Sequence, residues 1–319
     1  MNRVWPVVVL VVGGACSSGE TAASSTSSAA STTIPTTSTT TTTQARMTTT
    51  TVPTTTTEGS TTTSRPFLLP GVWAEQPLIV SAFGALGWWD GSSWTQVDDS
   101  TDLPVAGGED YQVARLGGEA STTGGAATLL CDPIEVPGVE LAHPDLLGEW
   151  PGPYGVAISA PWQLTPHLVE ELADDGTYAG FAAELLAARG LGVANPQIKQ
   201  LIRADLEGDG INEVIVVAED IQGSYHPPTA GDYSIAFLRK VVDGEVQTAV
   251  LGESVITDAD VDAKINYAFA IGAVADLSGD GTMEVVVSSA YYEGLAVEVW
   301  EYFNDDLGMI PAVRTGCGV

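Results

Sequence analysis

Thirteen residues recur almost unchanged 71 positions apart. Residues 204–216 read ADLEGDGINEVIV and residues 275–287 read ADLSGDGTMEVVV, with nine of the thirteen identical. Each copy places an acid-rich, glycine-punctuated stretch ahead of a β-branched run, Val214-Ile215-Val216-Val217 in one and Val285-Val286-Val287 in the other. Such runs read as short buried strands. An internal repeat of strand, tight turn and strand restricts the chain to β architectures built from repeated hairpins.

The spacing of oxygen-bearing residues within the turn has a chemical rationale. Both copies fit D-x-[DES]-x-D-G-x-x-E. A hard divalent cation such as calcium takes about six to eight oxygen ligands. A tight turn offers side-chain oxygens at its positions 1, 3 and 5, a backbone carbonyl at 7 and a carboxylate at 9, with glycine at 6 for the sharp bend. This nominates Asp205, Glu207, Asp209, the Ile211 carbonyl and Glu213 in the first copy. In the second it nominates Asp276, Ser278, Asp280, the Thr282 carbonyl and Glu284, with Gly210 and Gly281 as turn residues. A serine hydroxyl is a weaker ligand than a carboxylate, so the second loop is expected to hold Ca2+ less tightly. The alternative is a pair of solvated Asp-Gly turns that hold no metal. An EF-hand is excluded, because it needs a bidentate Glu at position 12, where this chain has Val216 and Val287.

Two strands joined by such a loop resemble the FG-GAP or VCBS-type repeat of integrin-like β-propellers. Phe269-Ala270-Ile271-Gly272 ahead of the second copy resembles the FG portion, and Ser289-Ala290 followed by Gly294 resembles the GAP portion. The resemblance implies structural calcium, and a role in binding or adhesion rather than catalysis. The expected fold is mainly β with one or two short helices, in antiparallel sheets carrying calcium hairpins. A closed propeller needs about four or more blades. Only two such loops are present, so a partial or small propeller-like arrangement is expected.

The N-terminus has a different physical character. Residues 1–16 read MNRVWPVVVLVVGGAC: a positive start at Arg3, an apolar run from Val4 to Val12, then small residues before Cys16. This is the layout of an export signal, and the run is too short to span a bilayer. Cys16 after small residues resembles the lipobox of bacterial lipoproteins, which implies lipidation at Cys16 and membrane attachment through the lipid alone. Gly13 departs from that pattern, which usually has Leu there; the alternative is a plain secretion signal with an incidental cysteine. Residues 17–65 contain 22 Thr and 10 Ser among 49 residues and almost no large apolar side chain. They cannot offset the entropy of ordering and read as a tether, open to O-glycosylation, with a span of roughly 40 Å as a flexible coil.

Residues 66–319 carry 39 acidic and 8 basic residues, in a chain whose formal charge is −30. That field disfavours nucleic acid and anionic membrane surfaces and favours cations. Cys131 and Cys317 are the remaining cysteines. In an oxidising compartment such a pair commonly forms a disulfide, the alternative being two buried thiols.

An N-terminal β-rich part is expected over 66–160, and a part with short helices and the two loop repeats over 161–319, together forming one compact unit. Asp90-Gly91 between aromatic runs signals a hairpin beside Trp88, Trp89 and Trp94. Those tryptophans suit either a sugar-stacking platform or packing on a sheet. The Gly/Thr/Ala-rich residues 117–128 read as a loop, and the Pro-rich residues 131–155 as an irregular connector. Thr165-Pro166 reads as a helix start, and residues 177–189 as a helix stopped by Gly190. C-terminal strands are expected near 233–241, 245–251, 266–276, 283–290 and 295–303, with a hairpin turn at Asp243-Gly244.

G-x-S-x-G, P-loop, G-x-G-x-x-G and H-E-x-x-H motifs are absent. His143, His167 and His226 are far apart, each beside a proline. The expected function is therefore an envelope-displayed, calcium-stabilised binding protein whose partner is an envelope protein or glycan. The alternative is a calcium-dependent envelope hydrolase acting on glycan or peptide through a carboxylate pair.

Overall fold

The computed structural model describes residues 76–318, apart from 104, 150–151, 175, 224, 243, 259, 262–263 and 304–307. The leader, Cys16, the Thr-rich segment and Asp243 lie outside the described residues. The fold is mainly β, with antiparallel sheets, one α-helix and no closed barrel among the described residues.

Three sheets are present. The first has seven strands in the order β3-β2-β1-β7-β4-β5-β6. These strands are β1 (Ile79–Val80), β2 (Ala85–Trp89), β3 (Trp94–Gln96), β4 (Asp110–Ala114), β5 (Ala120–Leu130), β6 (Val136–Leu141) and β7 (Val156–Ile158). The second has five, from β8 (Val169–Glu171) through β9 (Ile198–Ala204), β10 (Glu213–Asp220) and β11 (Tyr233–Val242) to β12 (Glu245–Val255), each pairing with its neighbour in sequence. The third is a four-stranded meander of β13 (Ala268–Ala275), β14 (Glu284–Tyr291), β15 (Gly294–Phe303) and β16 (Gly308–Gly318).

Stacking of these sheets explains the unbroken β-branched runs. The third sheet lies between the other two, and its strands β13 and β14 pack on both faces, so they need no polar alternation. Val286, Val297, Val299 and Val313 pack with Ile79, Leu86, Val156 and Ile158 of the first sheet. Val285 and Val287, on the opposite face, pack with Ile202, Ile215, Val217 and Leu238 of the second. The outer face of the second sheet presents Leu201, Val216, Ile235 and Phe237 to the helix α1 (Ala179–Ala188), through Ala182 and Leu186. Gly190 ends that helix at φ +88°.

Four regions depart from expectation. Residues 120–130 form a long strand rather than a loop, paired with β4 on one side and β6 on the other. Their small side chains serve close packing: a Cβ on Gly124 would lie 2.6 Å from the Tyr111 ring and 2.7 Å from Val139. The Pro-rich connector contains the strand β6 and a 3-10 turn at Pro144–Leu147. No helix starts at Thr165-Pro166. Residues 160–168 are drawn out along the ends of two sheets by backbone hydrogen bonds described below, and they lead into β8. The strand β16 was not foreseen. Its Cys317 is bonded to Cys131, with their Cα atoms 5.6 Å apart. The Asp90-Gly91 hairpin joins β2 to β3, and Trp89 and Trp94 meet across it with ring centroids 5.4 Å apart. Among the described residues, no helix is long and apolar enough to cross a membrane.

Candidate metal centre

The two acidic loops occupy the same place in matching hairpins. The first joins β9 to β10, where Ala204 faces Glu213; the second joins β13 to β14, where Ala275 faces Glu284. Each loop therefore links the first two strands of a four-stranded antiparallel run, β9 to β12 in the second sheet, where β8 adds a fifth strand beside β9, and β13 to β16 in the third.

Each loop is closed by its own carboxylates. In the first, Asp205 accepts the N–H of Asp209 on Oδ1 (3.1 Å) and that of Gly210 on Oδ2 (3.0 Å), and Asp209 Oδ1 accepts the N–H of Ile211 (2.7 Å). In the second, Asp276 accepts the N–H groups of Gly279 (2.6 Å) and Gly281 (3.1 Å), and Asp280 Oδ1 accepts that of Thr282 (2.7 Å). The terminal glutamates reach back: Glu213 Oε2 accepts the N–H of Leu206 at 3.0 Å, and Glu284 Oε2 that of Leu277 at 2.6 Å. Positive backbone angles are required at Gly208 (+73°) and Gly210 (+84°), and at Gly279 (+78°) and Gly281 (+91°). The glycine at position 4 is thus as necessary to the turn as the one at position 6.

Burial sets the electrostatics. Glu213 is 1% exposed and Glu284 2%. Desolvation disfavours the charged carboxylate. It pushes Glu213 up to about 7, opposed by the Leu206 N–H and by Lys240, with Glu207 adding to the rise. Desolvation likewise pushes Glu284 up to about 8, opposed by the Leu277 N–H, with Asp276 and Asp280 adding to the rise. The Asp276 carboxyl is also raised, chiefly by burial.

The fit to a divalent cation is uneven across the nominated donors. Glu213 Oε1 is buried and has no hydrogen-bond partner, and the same holds for Glu207 Oε2. These are oxygens of the type a hard cation takes. Glu207 is committed through one oxygen only: its Oε1 is ion-paired with Lys240 Nζ and accepts a hydrogen bond from the Tyr302 hydroxyl at 3.0 Å. Asp205 and Asp209 lie on one loop, and Asp276 and Asp280 on the other, each with a carboxylate oxygen turned to a backbone N–H. Among the described residues, no three or more His, Cys, Asp or Glu side chains converge into a metal-holding group. The donor chemistry therefore suits calcium, while the carboxylates are held by the loop backbone rather than drawn to a common centre.

One segment, unmarked by any motif, ties the two loops together. Trp162 Nε1 donates to the Asp276 carbonyl (2.9 Å), and the Leu164 carbonyl accepts the Asp276 N–H (2.7 Å). The Leu168 carbonyl accepts the Asp205 N–H (3.1 Å). The loops also touch directly, Met283 N–H donating to the Leu206 carbonyl at 2.8 Å. Trp162, His167, Lys240 and Tyr302 all escaped sequence reasoning, because each reaches the loops from a distant part of the chain. A Pro-flanked histidine was the only local signal. No protein-family model, no curated protein and no solved structure matches this chain.

Proposed function

We propose that this chain is an exported, lipid-anchored protein of a bacterial cell envelope, whose β domain is stabilised by calcium and serves binding rather than catalysis. The supporting observation is the matched pair of acidic hairpin loops, one of which holds a buried Glu213 oxygen with no partner. A buried carboxylate oxygen without a hydrogen-bond partner costs free energy that a bound cation relieves. The FG-GAP or VCBS-like reading is supported by the position of each loop between the first two strands of a four-stranded antiparallel run. The leader and Cys16 support export and lipid attachment, and the Thr-rich segment supports display away from the membrane. The charge of −30 favours a protein or neutral glycan partner over nucleic acid.

Titration of the full chain with CaCl2 in a calorimeter tests the central claim. The expected result is heat of binding that disappears on Asp205→Ala, Asp276→Ala double substitution, and a melting temperature that falls on chelation. Extracellular modules bind calcium with constants of about 10⁻⁴ to 10⁻³ M. At calcium a hundredfold above that constant, one filled loop adds about 2.7 kcal/mol. Absence of heat together with an unchanged melting temperature overturns the calcium reading. Mass spectrometry of the mature N-terminus tests lipidation at Cys16.

A further inference from the structure

The two loops are alike in sequence and differ in what faces them from the strand that follows each hairpin, β11 in the second sheet and β15 in the third. In the second sheet Val214 pairs with Arg239, so the next position along β11, Lys240, stands opposite Glu213. Lys240 is 8% exposed, its ammonium is ion-paired to Glu207, and it lies 4.0 Å from the centre of the Tyr302 ring. In the third sheet Val285 pairs with Trp300, so the equivalent position, opposite Glu284, is Glu301. Burial raises the Glu301 carboxyl, opposed by Trp94, with a smaller rise from the charge of Asp280. One loop therefore faces an ammonium where its twin faces a carboxyl.

An ammonium beside a divalent site acts in two ways. It repels the incoming cation, and it occupies a carboxylate that otherwise serves as a ligand. Lys240 does both, holding Glu207 by Oε1 and standing opposite Glu213, while Glu207 Oε2 and Glu213 Oε1 remain without hydrogen-bond partners. We propose that Lys240 is a built-in counter-cation of the first loop, so that calcium fills the second loop first and enters the first only against the charge of Lys240. This ordering is the reverse of the one that Ser278 suggests, and it rests on the calcium reading above.

Calorimetric titration of the full chain with CaCl2 tests the ordering through four variants. Wild type is expected to show a tighter and a weaker site. Asp276→Ala is expected to remove the tighter one, and Asp205→Ala the weaker. Lys240→Met is expected to tighten the weaker site at least about tenfold, as expected for removing a like charge beside a divalent ion. Lys240→Met leaves Glu207 without its ion partner, so folding is checked by circular dichroism. Glu301→Lys, at a partly exposed position, gives an independent reading by installing an ammonium at the second loop. It is expected to weaken the tighter site by a similar factor. Loss of the tighter site in Asp205→Ala overturns the asymmetry. So do binding constants that stay within twofold of wild type in folded Lys240→Met and in Glu301→Lys. In both cases the calcium reading stands. Absence of calcium uptake in wild type and in every variant overturns the calcium reading, and the asymmetry with it.

Discussion

His167 Nε2 donates a hydrogen bond to the carbonyl oxygen of Gly281 at 2.9 Å, while the same imidazole ring packs over Gly208 of the other loop. One side chain thus touches both acidic loops. It does so from an extended segment that also holds Asp205 and Asp276 by their backbone N–H groups. The two loops are in this way built as one edge rather than as separate turns.

His167→Ala removes a partly buried hydrogen bond and a ring contact, and is expected to cost about 1–2 kcal/mol. Gly208→Ala is expected to cost a similar amount. It forces a Cβ to within 2.4 Å of the ring at a backbone φ of +73°. The double variant is expected to cost less than the sum of the two, because both changes disturb the same contact. A urea-denaturation cycle over the four proteins measures this. Additive costs would show that the ring and Gly208 are energetically independent.

Gly272→Ala is expected to be among the most damaging single changes in the chain. A Cβ there would lie 1.8 Å from the backbone oxygen of Tyr154, and Gly272 also accepts the Leu116 N–H at 2.8 Å. Neither backbone can swing aside as a side chain would, so the junction of the first and third sheets must open, at a cost of about 3 kcal/mol or more. The check is a melting temperature lowered by several degrees, or loss of soluble protein.

Opening the Cys131–Cys317 bond removes the covalent tie between the final strand β16 and the turn after β5, leaving the Gln96–Arg314 hydrogen bonds to hold β16 to the first sheet. The bond closes a segment with a sequence separation of 186. Chain-entropy reasoning for long loops sets an upper figure near 5 kcal/mol. Thermal melts of reduced wild type and of the Cys131→Ser, Cys317→Ser double variant are expected to agree with each other. Both are expected to fall below the oxidised protein.

Glu219 gives a pH dependence that is separate from the loops. Burial raises its carboxyl above the ordinary value, opposed by the Ser234 hydroxyl, which donates to it at 3.0 Å. An acid with a raised folded-state pKa binds its proton more tightly when folded. Its contribution is therefore favourable below the unfolded value of about 4.5, and is lost as pH rises through the folded value. Glu219→Gln is expected to flatten the fall in stability above pH 5, as read from melting temperatures across pH 4 to 8. An unchanged slope would assign that fall to other groups.

The outcome region by region follows the range of the interactions involved. The helix of residues 179–188 and the Asp90-Gly91 hairpin were legible because apolar spacing, the Gly190 stop and the Asp-Gly turn signal are local. The strand β5 was missed because Gly, Thr and Ala favour loops on their own. Only Tyr111 and Val139, packed against Gly124, make small residues the right choice there. The Thr165-Pro166 helix failed for a similar reason: carbonyls that would start a helix are already taken by Asp205 and Asp276.

By itself the sequence determined that this is a β protein with two like acidic turns, because a repeat of strand, turn and strand is written within about a dozen consecutive residues. Only the tertiary structure decided that the twins are unequal. Between the second and third strands the repeat interval changes from 71 to 61 residues, since the connection after β10 is longer than the one after β14. Lys240 and Glu301 come to the same place only through strand pairing, and charge acts through space rather than along the chain.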